Sequence, residues 1–291
     1  MGCLATSTFP GWVNRLGTEN GSAGIKKVAF RIGALDSVIS GADNLSWGQV
    51  YYRAKELGIE GIELGVGKDY DRTELWDTEG RKRLQGFSET TGVLTPSICL
   101  HSYWTYSFAS EDIATRARAE KLAREAAVAA KEIGARKILI PFTNPDSVND
   151  ELARERWIMG VKNSASAAEE ASVVFCLENV GTSFADKPED MITIVDAIDS
   201  SAVKVYYDAG NAVRSENDPL EAIPLLKERI GQIHVKEVQG DYLGEGIVPW
   251  PKIIQALYNI NYTGWLILET KSTDDPKSAA KKNLETIQGF L

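Results

Sequence analysis

The chain has 291 residues, 43% of them hydrophobic and 25% charged, which is enough apolar material for an ordinary folded core. Its 32 Lys and Arg against 41 Asp and Glu leave a formal charge of −9, which argues against the basic face that nucleic acid or an anionic membrane surface requires. No apolar run approaches the roughly 18 residues of a membrane-spanning helix, so no membrane partner is expected.

Residues 1–25 carry five glycines (Gly2, Gly11, Gly17, Gly21, Gly24) and no basic segment followed by an apolar one. They read as an N-terminal arm rather than a secretory signal. The three cysteines, Cys3, Cys99 and Cys176, form an odd, widely spaced set. That set argues against a disulfide framework and leads to the expectation of a reducing, cytoplasmic location.

From Lys26 onward short apolar runs alternate with longer amphipathic stretches. Val28–Ile32 is the first expected strand. Trp47–Leu57 follows as a helix with Ser46 as N-cap and Gly58 as stop. Next come a strand at Gly61–Leu64, a helix at Thr78–Thr91 and a strand at Leu94–Leu100. An Ala-rich helix is expected over Glu111–Ile133, ended by Gly134, then a strand over Lys137–Ile140 and a helix over Leu152–Ser172. The pattern continues with strand Val173–Leu177, helix Glu189–Ile198, strand Val203–Tyr207 and helix Pro219–Arg229. It closes with strand Ile230–Val235, helix Pro251–Ile260, strand Trp265–Leu268 and helix Lys277–Phe290.

Strands that are apolar on both faces and separated by helices predict a parallel sheet covered by helices. Eight such units predict a single (β/α)8 barrel as one catalytic domain over 26–291. A doubly wound open sheet would carry a Gly-rich phosphate loop after the first strand. That place instead reads Arg31-Ile32-Gly33-Ala34-Leu35.

Four polar residues end four successive strands: Glu178, Asp208, His234 and Glu269, spaced by 30, 26 and 35 residues. In a barrel the C-terminal ends of strands five to eight converge on one rim, where active sites sit. Three carboxylates and one imidazole make a mostly oxygen donor set. It suits one divalent metal such as Mn2+, Mg2+ or Co2+, with Zn2+ as a further option.

At these residues a family likeness emerges. Gly61-Ile62-Glu63-Leu64, Pro96–Leu100, Leu177-Glu178-Asn179, Tyr207-Asp208-Ala209-Gly210-Asn211, His234-Val235-Lys236-Glu237, Gly244-Glu245-Gly246 and Leu268-Glu269 carry it. The chain resembles the xylose isomerase-like sugar phosphate isomerase/epimerase superfamily from about Lys26 onward. Within it, the likeness is to ketose 3-epimerases of the L-xylulose-5-phosphate and D-tagatose/D-psicose type. The resemblance implies one divalent metal on the four strand-end residues, Mn2+ first, and Glu178 and Glu269 as the acid/base pair. It also implies a small-molecule sugar as partner, handled through an enediolate, and admits a homo-oligomer.

Three departures bear on the substrate. The loop after the third strand, His101–Tyr106, has no Arg or Lys, whereas a phosphate wants such donors. Phe184 and Asn211 stand where the D-tagatose type has Glu and His. A non-phosphorylated keto-sugar is therefore expected. Lys236, Glu63, His101, Asn211 and Trp104 are the expected substrate contacts, with Tyr103 and Trp250 as further stacking candidates. The alternative is a lyase of the same superfamily: a keto-inositol dehydratase, or a 3-keto-C-glycoside deglycosidase working with a small partner subunit. A non-catalytic sugar-binding barrel fits the intact four-residue set less well. A trinuclear-zinc endonuclease is disfavoured, because the chain has only two histidines.

Overall fold

In a computed structural model, residues 30–271 and 273–291 are described. They form a closed barrel of eight parallel strands in chain order. The strands are β1 (Arg31–Leu35), β2 (Gly61–Gly65), β3 (Leu94–Cys99), β4 (Lys137–Pro141), β5 (Val174–Glu178), β6 (Val203–Asp208), β7 (Ile230–Val235) and β8 (Trp265–Leu268). Outside them run α1 (Asp36–Ser40), α2 (Trp47–Leu57), α3 (Thr78–Thr91), α4 (Ile113–Ile133) and α5 (Asp150–Ala171). The ring continues with α6 (Pro188–Ile198), α7 (Ala209–Arg214), α8 (Pro219–Leu226), α9 (Trp250–Asn259) and α10 (Pro276–Phe290). The expected arm over 1–25 lies outside the described residues.

Local chemistry sets the helix ends. Ser46 and Gln49 form a reciprocal capping box at the start of α2. Asp112 accepts from the Ala114 and Thr115 amides, so α4 begins at Ile113 rather than Glu111. Asn149 accepts from Leu152 N at 3.0 Å, so α5 starts two residues before its apolar stripe. The helix expected over Pro219–Arg229 stops at Leu226. Lys227 turns to φ 42 there, and Lys227–Arg229 forms a 3-10 turn. The first strand is also displaced from Val28–Ile32, of which Val28 and Ala29 lie outside the described residues. Phe30 precedes the ladder and stacks on Tyr258 with ring centroids 4.6 Å apart. The pairing itself aligns Arg31 with Trp265 and Gly33 with Gly61.

The barrel interior is closed at its N-terminal end by Trp265, with the Arg31 guanidinium 4.2 Å over its ring. A Cβ on Gly61 would lie 2.6 Å from that indole, so glycine is required to seat it. Toward the C-terminal end the filling turns polar. Glu63, Ser97, Gln232, Asp208 and His234 are all buried. Register pairs Asp208 with His234, while Glu178 pairs with Tyr206, two residues before Asp208. The Glu269 amide donates to Val235 O at 2.9 Å.

Candidate active site

Each of the four strand-end residues emerges from a buried apolar strand, so its position is fixed by the ladder rather than by a loop. One ligand atom from each of Glu178, Asp208, His234 and Glu269 lies within 4.8 Å of the others. The cluster centres on His234 Nδ1. Glu178 Oε1 is 2.8 Å from it, Glu269 Oε2 3.2 Å and Asp208 Oδ2 4.0 Å.

The other imidazole nitrogen is held from below. His234 Nε2 lies 2.8 Å from Glu63 Oε1. The second Glu63 oxygen accepts from Ser97 Oγ at 2.5 Å and Tyr206 OH at 2.9 Å. Gln232 Nε2 then donates to Ser97 Oγ at 2.6 Å. A carboxylate only accepts, so Nε2 carries a proton and Nδ1 faces the carboxylates. A carboxylate behind an imidazole in this way orients it as a metal ligand and raises its basicity.

The rim is locked sideways by asparagines. Asn179 exchanges hydrogen bonds with the Asp208 backbone, both at 2.9 Å. Asp208 Oδ1 caps α7 by accepting from Asn211 N at 2.8 Å, and Asn211 Nδ2 donates to Asn179 O at 2.9 Å. Lys236 Nζ reaches over the rim to Glu269 Oε2 at 2.7 Å and Asp208 Oδ2 at 3.3 Å. Its partners are therefore the strand-end carboxylates. Glu237 instead holds loop backbone, and Glu245 pairs with Lys282 at 2.7 Å.

The electrostatics call for positive charge. Burial pushes the His234 pKa down, but Glu269, Glu63 and Glu178 outweigh it and hold the ring well above its ordinary value. Burial pushes Glu178 up to about 7 against the pull of His234. Glu269 is partly buried, which pushes its carboxyl up, yet His234 and Lys236 hold it well below the usual carboxylate range. Burial raises Asp208, with Lys236 opposing. Glu269 Oε2 is sealed from solvent and accepts no well-directed hydrogen bond, although two cationic groups stand within 3.2 Å. An oxygen-rich donor set and an imidazole held from behind by the Glu63 carboxylate together fit a hard divalent cation.

A cavity of about 530 Å3 opens beside Glu269 and Lys236, lined also by His101, Ser37, Arg214 and Gln239. Of the expected substrate contacts, Lys236 and His101 border it. The others need correction. Glu63 has no exposed surface, and both its oxygens are engaged beneath His234, so it supports the imidazole rather than touching a substrate. Asn211 is buried; its amide nitrogen bonds Asn179, and its oxygen faces Lys236 Nζ at 3.4 Å. Trp104 is 54% exposed and lies outside the cavity lining, because the 3-10 turn His101–Trp104 points it to solvent. Tyr103 is fully buried, donating to Ala119 O at 2.7 Å, and Trp250 is fully buried in α9. Phe184 packs against Phe142 and Trp157 in the core rather than facing the site.

Sequence reasoning missed Asp36, at the end of β1, whose Oδ2 accepts from Trp47 Nε1 at 2.6 Å and Gly65 N at 3.2 Å. It also missed the support layer of Ser97, Tyr206 and Gln232. Their signal was available in principle as polar residues at alternate, inward positions of otherwise apolar strands.

A family model described as "Xylose isomerase-like TIM barrel" matches residues 51–290. The putative L-ribulose-5-phosphate 3-epimerase SgbU of Escherichia coli strain K12 is 28% identical over 251 residues, covering 81% of this chain and 88% of that protein. The L-ribulose-5-phosphate 3-epimerase UlaE of Escherichia coli strain SMS-3-5 is 26% identical over 256 residues, covering 84% and 90%. Among solved structures, a D-psicose 3-epimerase in the presence of D-fructose superposes with TM-score 0.77 at 19% identity, covering 90% of this chain and 99% of the other. An L-ribulose 3-epimerase superposes with TM-score 0.77, also at 19%, covering 90% and 95%. At that identity the structural likeness is one of fold.

Proposed function

The chain belongs to the xylose isomerase-like TIM barrel family, and on that premise we propose that it is a divalent-metal-dependent isomerase or epimerase of a keto-sugar. The observation that carries this reading is the convergence of Glu178, Asp208, His234 and Glu269 on one point beside an open cavity. The curated relatives are named as 3-epimerases of a ketose phosphate, which supports epimerisation and gives no weight to the lyase alternative.

Moving a proton beside a ketone requires a base to remove it and an acid to return it on the other face. Glu178 and Glu269 approach the centre from β5 and β8, and their surroundings push their proton affinities apart, the arrangement such exchange needs. A bound divalent cation, Mn2+ in the first instance, would be held by the four residues and would stabilise negative charge developing on the ketone oxygen. Lys236, beside Glu269, is placed to bind a substrate oxygen, and His101 offers a neutral hydrogen-bonding group across the cavity.

An uncharged ketose is supported by the loop after β3. Around the cavity Lys236 is paired with Glu269 and Asp208, and Lys271 with Asp241 at 2.6 Å, while Arg214, which also lines it, has no ion pair among the described residues. The His101–Tyr106 loop adds no Lys or Arg. The two described cysteines, Cys99 and Cys176, are free and buried, in keeping with a reducing, cytoplasmic setting.

The test is product formation from free ketoses and from their 5-phosphates, after metal removal and after Mn2+ is returned. The reading predicts turnover of a free ketose that vanishes with chelator and recovers with Mn2+. Turnover of phosphorylated ketoses alone overturns the uncharged substrate, and full activity in excess chelator overturns the metal requirement.

A further inference from the structure

Glu237 lies one residue beyond Lys236 and faces away from the strand-end carboxylates. Its side chain gathers the loop that follows β7. Oε1 accepts from Val238 N at 2.9 Å and from Val248 N at 3.1 Å, and Oε2 accepts from Gly244 N at 2.9 Å. One carboxylate thus ties together both ends and the middle of an eleven-residue loop spanning 238–248. Such charge-assisted bonds to backbone amides are about twice as strong as neutral ones.

The loop is built around that carboxylate. A Cβ on Gly246 would lie 2.1 Å from Val238 O and 2.4 Å from Glu237 Oε1, so only glycine lets the returning strand of the loop pass. Gly240 backs onto Gly246, with a Cβ there falling 2.8 Å from Gly246 N. Just before Gly240, Gln239, a residue with a side chain, is held at φ 62. A left-handed conformation at such a residue is kept only where its surroundings over-determine it, often at functional sites. Gln239 is exposed, lines the cavity, and has no side-chain hydrogen bond among the described residues. An amide offers both a donor and an acceptor, which matches a sugar hydroxyl.

We propose that Glu237 is a positioning residue: its carboxylate clamps the 238–248 loop so that the Gln239 amide is presented to a hydroxyl of the sugar in the cavity. The sugar part of this inference rests on the proposed function; the clamp stands on the loop geometry alone.

The two parts separate experimentally. Hydrogen exchange resolved to single amides is measured on the full chain and on Glu237→Gln and Glu237→Ala, with Mn2+ binding measured alongside. Gln keeps one acceptor oxygen and replaces the other with an NH2 that cannot accept, so E237Q should lose protection on one side of the clamp, at Gly244 when the oxygen stays with the Val238 and Val248 amides. E237A should lose all three, and both should bind Mn2+ as the wild type does. On D-psicose or L-ribulose, whichever the wild type turns over, E237A and Gln239→Ala should each raise KM roughly tenfold with kcat changed less than about threefold. Only E237A should alter exchange. Unchanged protection at all three amides in E237A overturns the clamp. A fall in kcat and Mn2+ affinity together with KM overturns the positioning role. An unchanged KM in Q239A removes the hydroxyl contact. If the wild type turns over neither ketose, the functional reading fails, and hydrogen exchange still decides the clamp.

Discussion

His234 Nε2 and Glu63 Oε1 stand 2.8 Å apart across the inside of the barrel, joining β7 to β2. That single contact decides which ring nitrogen the strand-end carboxylates meet. It also explains why Glu63, in the middle of β2, does different work from the four strand-end residues. It sits lower in the barrel, where the neighbours are Ser97 and Tyr206 rather than the cavity.

Glu63→Gln should therefore weaken Mn2+ binding without unfolding the barrel. Losing a supporting carboxylate of this type costs about 10- to 100-fold in metal affinity. Titration calorimetry with Mn2+ on the two proteins checks it. An affinity within twofold of wild type would mean that Glu63 does not set the imidazole.

Asp36 gives a pH signature away from the strand-end cluster. Burial raises its pKa from 3.8 to about 6, and the Trp47 and Gly65 hydrogen bonds only partly oppose this. The folded state thus holds the proton more tightly than the unfolded one. The resulting stability is fully present below about pH 4 and is lost as pH rises through about 6. Asp36→Asn keeps an acceptor for both donors and has no charge to bury. It should be more stable than wild type at pH 8, by up to about 3 kcal/mol at 1.36 kcal/mol per unit. The gain should shrink toward zero near pH 4. Urea unfolding across that range reads it, and a gain independent of pH would show that Asp36 is not strained by its charge.

His101 borders the cavity, and burial holds its pKa below the ordinary value although Glu269 pulls the other way. It is neutral at pH 7 and can only bind, not carry charge. His101→Ala should raise KM about tenfold, equivalent to about 1.4 kcal/mol, with Mn2+ affinity unchanged. Steady-state kinetics beside a Mn2+ titration distinguish this from damage to the strand-end cluster.

Much of this molecule was legible because the barrel repeats one rule eight times. Apolar strands marked themselves, and the polar residue that ended each of β5 to β8 was the one placed on the rim. What was hidden depended on contacts between distant segments. Glu63 and Glu178 look alike in sequence, and only register and depth separate them. Asn211 reads as a free amide until Asn179 and Lys236 close on it. The solvent-facing Trp104 and the core-facing Tyr103 are adjacent residues of one short turn, which no periodicity resolves. The five-residue α1 and six-residue α7 are too short for a helical repeat to show. The role of Glu237 was partly visible in the spacing of His234-Val235-Lys236-Glu237 and Gly244-Glu245-Gly246. The pattern indicated the family, but the reason for it is the loop that Glu237 and Gly246 close together.

The central claim is that Glu178 and Glu269 exchange a proton with carbon. The most direct test is deuterium incorporation from D2O beside the carbonyl of a free ketose, with Mn2+ present, for wild type, Glu178→Gln and Glu269→Gln. The account predicts label in the wild-type product and a loss of rate of about 10^2- to 10^4-fold in each variant. An unlabelled product from the wild type, or near-normal exchange in either metal-loaded variant, would contradict it.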